Sequence, residues 1–182
     1  TLSGVAVSLM WYFIYHPEMG VINSLIRLLG FSNFKYPWLF DPKTALYAVI
    51  VSVAWQWIGY HMMIFIAGIK MIPNELIEAA KIDGASEGDI TRWIIYPLVK
   101  PVIKVSLVLI TTSSFKSFDS IYIMTQGGPA HATEVLATHM YFRSFMQMRF
   151  GYGCSIAAVL FVMCTLATVA LSKGFKHNQV EF

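Results

Sequence analysis

Long apolar runs separated by short polar stretches dominate the chain. Leu46 to Ile69 is the clearest, twenty-four residues without a formal charge, against the roughly twenty that a bilayer span needs. Val102 to Met124 and Cys154 to Ser172 read as two further spans. Ahead of them, Leu2 to Ile14 is apolar but short of a full crossing, so it reads as a partial span over about 1–15. The absence of an initiator Met and of a basic flank argues against a signal peptide. The expectation is a piece of a longer protein, starting inside a helix, with earlier spans missing. The pattern predicts an all-α, polytopic integral membrane helical bundle with spans at about 1–15 (partial), 46–69, 102–124 and 154–172.

The connections carry their own signals. Trp11, Tyr12 and His16-Pro17 suit a membrane interface, as do Tyr36, Trp38 and Phe40 ahead of Asp41-Pro42. Ile22, Leu25, Ile26 and Leu29 recur at helical spacing with Gly30 as a stop, which predicts a short helix over Val21 to Leu29 lying on the membrane surface. Thr125 to Tyr152 reads as an external loop, with a turn at Gly127-Gly128-Pro129 and Thr133 capping a helix through Phe145. Gly153 and Ala157 offer a small-residue contact at the start of the last span.

Residues 70–101 are different, holding five of the ten acidic residues between two apolar runs. Charge at the bilayer centre is costly, so this island is a loop outside the lipid. It reads as two helices with a sharp corner. Asn74 caps the first, from about Glu75 to Ile82, with Pro73 before it. Asp83-Gly84 ends it, because Gly takes the left-handed C-terminal conformation without penalty. Ser86 and Asp89 form a weakened capping box for the second, which Pro97 closes. Leu76, Ala79, Ala80 and Asp83 fall near one face, small-sided enough for another surface to approach closely. Glu78 by itself reads as an exposed pair with Lys81.

Two polar stripes lie within the spans. At about 100° per residue, Ser52, Gln56 and Tyr60 share one face of the second span, and they either line a solute path or make interhelical hydrogen bonds. His61 points elsewhere and reads as a helix contact. On the third span Thr112, Ser113, Lys116, Asp119 and Ser120 fall within about 120°. Ionisable groups at membrane depth usually face a watery cavity, although Lys116 and Asp119 could also neutralise each other or snorkel to the interface.

At 57% apolar and 13% charged, the composition is far from a soluble average of about a quarter charged. The net charge of +3 is unclustered and gives a nucleic-acid partner no support. Cys154 and Cys164 read as small packers within one apolar run, without a disulfide framework. His131, Glu134 and His139 lack the His-Glu-x-x-His spacing of a zinc site, so no metal is expected. The Lys and Arg bias is weak but puts residues 70–101 and the tail with Lys173, Lys176 and His177 in the cytoplasm.

The loop carries Glu78-Ala79-Ala80, Asp83-Gly84-Ala85, Ile94, Tyr96-Pro97 and Pro101. This ensemble resembles the cytoplasmic loop of the membrane-spanning subunits of ABC-type importers, in which a coupling helix enters a cleft of the ATPase subunit. Phe118-Asp119, Ile121-Tyr122, Thr125, Gly127-Gly128-Pro129, Thr133, Tyr141 and Phe145 resemble the carbohydrate-uptake branch of that family. So do Pro17, Gly20, Ile22-Asn23, Gly30 and Pro37-Trp38-Leu39 in the first loop.

The resemblance implies a transport subunit rather than an enzyme, moving a sugar or sugar-like solute across the cell membrane. Glu78, Ala79, Ala80, Asp83, Gly84, Ala85 and Pro97 would serve ATPase coupling. Its partners would be two ATPase subunits, a second permease subunit, an extracellular solute-binding protein and membrane lipids. ATP and Mg would sit on the ATPases, since this chain has no phosphate loop of the Gly-x4-Gly-Lys-Ser/Thr type. The alternatives are an importer of a non-sugar solute, and a passive channel or membrane-embedded enzyme. No clustered carboxylates or histidines at membrane depth favour the enzyme.

Overall fold

A computed structural model of the chain describes residues 3–174, and among them every regular element is a helix. In order these are α1 (Gly4–Ile14), α2 (Val21–Leu28), α3 (Ala45–Lys70), α4 (Asn74–Ile82), α5 (Glu87–Ile90), α6 (Tyr96–Phe115), α7 (Asp119–Met124), α8 (Leu136–Tyr141) and α9 (Phe150–Gly174). Two π-helical turns, Thr91–Ile95 and Phe142–Met146, follow α5 and α8. Three stretches are long and apolar enough to cross a membrane: Ala45–Lys70, Glu87–Phe115 and Phe150–Gly174. Only 11% of each apolar window is buried within the chain, which leaves most of that surface for lipid or partner helices. Lys176 and His177 of the tail lie outside the described residues.

The stretch expected over Val102 to Met124 departs most from the sequence pattern. Its helix begins at Glu87, well before Val102, and ends at Phe115, so Pro97 does not close a helix but lies inside one. The π turn just ahead accounts for this. There the Tyr96 N–H reaches back to the Thr91 carbonyl, and the widened turn relieves the clash a proline ring makes with the carbonyl four residues earlier. At the far end, the Thr112 hydroxyl donates to the carbonyls of Val108 and Leu109 (2.8 and 3.2 Å). Ser113 donates to that of Ile110 (2.9 Å). Such back-bonding competes with the helix ladder, and the chain is irregular from Lys116 until α7.

The described residues cluster into two units. The first comprises the chain up to Trp57 and Ser114–Val162. Tyr15, Leu39, Ala48, Val49, Ile121 and Met124 form its core, with Trp11, Ile22 and Trp38 packed around it, and α1 lies along α7. Buried Asn23 ties its first loop together. Its amide nitrogen donates to the carbonyls of Pro17 and Tyr36, both at 2.9 Å, and its oxygen accepts from Trp38 Nε1 at 2.8 Å. Gly20 has no room for a side chain, because a Cβ would stand 2.3 Å from the His16 carbonyl and 2.5 Å from that of Ile14. Asp41 accepts from the Tyr36 hydroxyl and from the Lys43 N–H (2.9 Å), and these bonds, the hydroxyl first, hold its carboxyl below the usual range.

In residues 125–149 Thr133 does not cap a helix, since α8 starts three residues later. Its hydroxyl donates to the Gly128 carbonyl at 2.7 Å and meets Thr125 Oγ1 at 2.7 Å, closing the glycine turn instead. Glu134 then gathers both histidines, taking His131 Nδ1 on Oε2 at 2.6 Å and His139 Nδ1 on Oε1 at 2.8 Å. Arg143 Nε donates to the other nitrogen of His139 at 3.3 Å, which assigns the His139 proton to Nδ1. Gly153 of α9 is buried against Ser144 of the second π turn. Ala157 is exposed, so the expected pair does not form one contact; Gly153 and Ile156 face inward instead.

Glu134 makes a pH prediction. Burial alone raises its pKa, but the bonds from His139 and His131 outweigh that and leave it lowered. A lowered folded pKa means its stabilisation is present above the unfolded carboxylate value and is lost as pH falls through the folded one. Glu134→Gln should therefore narrow the difference in thermal midpoint between neutral buffer and buffer below the ordinary carboxylate range, about pH 4, read by thermal melts. An unchanged difference would show that the cluster contributes nothing to the fold.

The second unit comprises Ile58–Ser113 and the chain from Met163. Gly68 lets α3 and α6 approach closely: a Cβ there would meet Val102 Cγ2 at 2.6 Å. One turn of side chains away, buried Ser106 and His61 Nδ1 are 2.8 Å apart, so His61 is a helix contact.

Candidate coupling segment and polar path

Residues 70–101 fold as two helical pieces around a corner, all within the second unit. Ile72 and Ile90 are buried and anchor the two ends, while α4 buries none of its residues. Pro73, extended at φ −59° and ψ 130°, takes the cap position, so Asn74 is the first helical residue and caps nothing. At the other end Gly84 adopts φ +83°. Its N–H donates to the Lys81 carbonyl at 3.1 Å and that of Ala85 to the Ala80 carbonyl at 3.0 Å, the paired closure in which a left-handed glycine satisfies the last carbonyls. Ser86 and Asp89 form the reciprocal box: Asp89 N–H donates to Ser86 Oγ (3.3 Å), and Ser86 N–H and Oγ–H donate to Asp89 Oδ2 (3.2 and 2.6 Å).

The corner is thus stiff, and what it displays is unpartnered. Glu78, Ala79, Asp83 and Gly84 are exposed, Ala80 and Ala85 half-buried, and Ile82 is 86% exposed. Among the described residues no ion pair joins Glu78 to Lys81. A nine-residue helix with nothing buried is marginal alone. Pro97, also exposed, lies on α6 beyond the π turn. Ile72, Ile90 and the π turn escaped the sequence reading. Two prolines four apart, at 97 and 101, were the available sign that this helix could not be regular.

The polar stripes are partly broken up. In the first unit Ser52 is buried, its hydroxyl donating to the Val49 carbonyl at 2.7 Å and to Met124 Sδ at 3.3 Å. Ser120 accepts from the buried Ser8 hydroxyl at 3.2 Å. Both are spent on helix contacts. Gln56 Nε2 and Asp119 Oδ2 converge beside Gly4 of α1, where a Cβ would lie 3.7 and 3.9 Å from them. Lys116 and Asp119 are exposed and form no ion pair among the described residues.

Because α6 ends at Phe115, Lys116 shares no helix face with Thr112 and Ser113, and the predicted 120° arc does not exist. Instead Lys116 lines a hollow of about 290 Å³ with Phe118, Ala137, Met140, Tyr141 and Leu160. Phe118 stacks on Tyr122 (5.1 Å), and Tyr141 meets both rings. In the second unit Tyr60 is exposed and packs edge-on to His61 at 5.3 Å.

A family profile described as binding-protein-dependent transport system inner membrane component matches residues 2–174. The chain belongs to this family. Among similar members, a probable ABC transporter permease protein of Pyrococcus horikoshii is 41% identical over 92% of this chain and 58% of its own length. The sulfoquinovosyl glycerol transport system permease protein of Agrobacterium fabrum is 34% identical over 92% of this chain and 53% of its own. The chain spans little more than half the length of these two inner membrane components. Its fold matches a chain of a bacterial ABC transporter that imports the acidic polysaccharide alginate, with a TM-score of 0.82 at 23% identity, over 96% of this chain and 62% of that one. The three membrane-length helices are therefore those of a multi-pass permease-type fold.

Proposed function

We propose that this chain is part of the membrane-spanning subunit of an ATP-driven importer for a sugar or sugar-like solute, and that it transports rather than catalyses. The observation that carries the reading is the rigid, outward-facing corner at Glu78, Ala79, Ala80, Asp83, Gly84 and Ala85, a surface fit for a cleft on an ATPase subunit that binds ATP and Mg. Pro97 and the π turn would transmit the movement of that corner into α6. Residues 70–101 and the C-terminus would face the cytoplasm. A second permease subunit and an extracellular solute-binding protein complete the assembly, and the named solutes of the Agrobacterium and alginate relatives support the sugar class.

Among the stripe residues, Gln56, Lys116 and Asp119 are the strongest candidates for a solute path, followed by Tyr60, Thr112 and Ser113. Ser52 and Ser120 would support it by packing. Lys116→Ala or Asp119→Ala in the assembled transporter should reduce solute-stimulated ATPase activity several-fold without loss of subunits. Stimulation equal to wild type would assign that region to packing. Reconstituted uptake with a panel of labelled sugars and non-sugars, with and without ATP, tests the function. ATP-dependent sugar uptake is expected; uptake without ATP would indicate a channel, and preference for a non-sugar would overturn the solute class.

A further inference from the structure

The exposed surface of Glu87–Phe115 changes character along its length. Arg92, Trp93, Tyr96, Pro97 and Lys100 are exposed, and from Pro97 an exposed row at intervals of four, Pro101, Val105 and Leu109, winds on towards the far end of the helix. Val102, which packs on Gly68, and Ser106, which packs on His61, lie to one side of that row. Arg92 lies 5.5 Å from the Trp93 ring centroid, and the Lys100 ammonium 5.8 Å from that of Tyr96. Each ring holds a cation beside a large exposed apolar surface, Trp93 at 70% and Tyr96 at 54%. Among the described residues no carboxylate pairs with Arg92, Lys100 or Lys104, and the nearby Asp89 is occupied by Ser86. Among the described residues nothing balances these cations.

We infer that this face binds an anionic glycerophospholipid, with Arg92 and Lys100 holding the phosphate, Trp93 and Tyr96 seated at the headgroup boundary and an acyl chain running along Pro101, Val105 and Leu109. Charge complementarity selects the anion, and indole and phenol rings prefer that depth. Lys104, half-buried one turn further in, snorkels towards the same headgroup. The inference rests on the membrane-spanning reading of this helix, but not on the solute or on which side the corner faces.

The test uses the assembled transporter in nanodiscs of mixed phosphatidylglycerol and phosphatidylcholine, with retained lipid counted by native mass spectrometry. Wild type should keep phosphatidylglycerol in preference. Arg92→Gln with Lys100→Gln should lose about fivefold in that preference per charge removed, and Arg92→Lys with Lys100→Arg should restore it. Lys35→Gln with Lys43→Gln, in another loop, should leave it unchanged. Equal retention of the two lipids by wild type, or undiminished preference in the double Gln variant, would overturn the inference. A photo-crosslinker at position 93 that captures protein instead of lipid would do the same. Retention of no lipid of either kind would instead count against the membrane-spanning reading itself.

Discussion

Gly84→Val is expected to release the ATPase subunits from the complex while the protein still inserts in the membrane. The backbone at 84 sits at φ +83°, a conformation that costs an L-residue roughly 1–2 kcal/mol and a β-branched one more. That penalty falls on a nine-residue helix that buries no residue of its own. Turning Gly84 out of the left-handed region would break the bonds from Gly84 and Ala85 to Lys81 and Ala80, and the corner would open. Because a Cβ at Gly84 has open space around it, the damage comes from backbone conformation and not from a clash inside the chain. Co-purification should fall by about tenfold or more, the factor that 1.4 kcal/mol represents. Gly84→Asn, which tolerates the left-handed region, should retain most of it. Glu78→Lys should weaken recovery without opening the corner. Wild-type recovery with Gly84→Val would mean that the corner is not gripped.

Asn23→Leu should have the largest effect on stability. Asn23 is fully buried and makes three hydrogen bonds, two as donor and one as acceptor. Leucine fits the space approximately but orphans the Trp38 N–H and the carbonyls of Pro17 and Tyr36. Leaving a buried group unsatisfied costs about 1–3 kcal/mol, so the total is roughly 3–5 kcal/mol even after some relaxation. The loop it ties holds Trp38 against Tyr15 and the core of the first unit, so the loss should reach α1 and α7. Asn23→Asp keeps the acceptor for Trp38 but turns a buried carboxylate oxygen towards the carbonyls of Pro17 and Tyr36, and should cost at least as much. Denaturant unfolding in detergent followed by tryptophan fluorescence measures this. A cost below about 1 kcal/mol would mean that the carbonyls find other partners.

The contrast between these two positions shows what could be read from the chain. The Gly84 corner and the Ser86–Asp89 box are local, set by residues within a few positions of one another, and both were legible in the sequence. The apolar stretch of α3 was legible for the same reason, since twenty-four uncharged residues leave few alternatives. Asn23 gave no comparable signal, because its partners at 17, 36 and 38 meet it only once the loop has closed. Thr133 departs from its local pattern for a related reason: its hydroxyl bonds to the Gly128 carbonyl and Thr125 and does not serve a helix. The stretch Glu87–Phe115 differs from the pattern at both ends. Proline statistics predict a stop at Pro97, but the π turn before it lets the helix continue. Hydropathy cannot see the back-bonding hydroxyls at Thr112 and Ser113 that precede the break, so Lys116 and Asp119 fell outside the helix on which they had been placed.

The most direct measurement starts from a chain in which Cys154 and Cys164 are replaced by alanine and Ala79 by cysteine. In the assembled transporter the new thiol should crosslink to the ATPase subunit, and in intact cells an impermeant maleimide should fail to reach it until the membrane is opened. Labelling of that thiol from the outer side of intact cells would contradict the account.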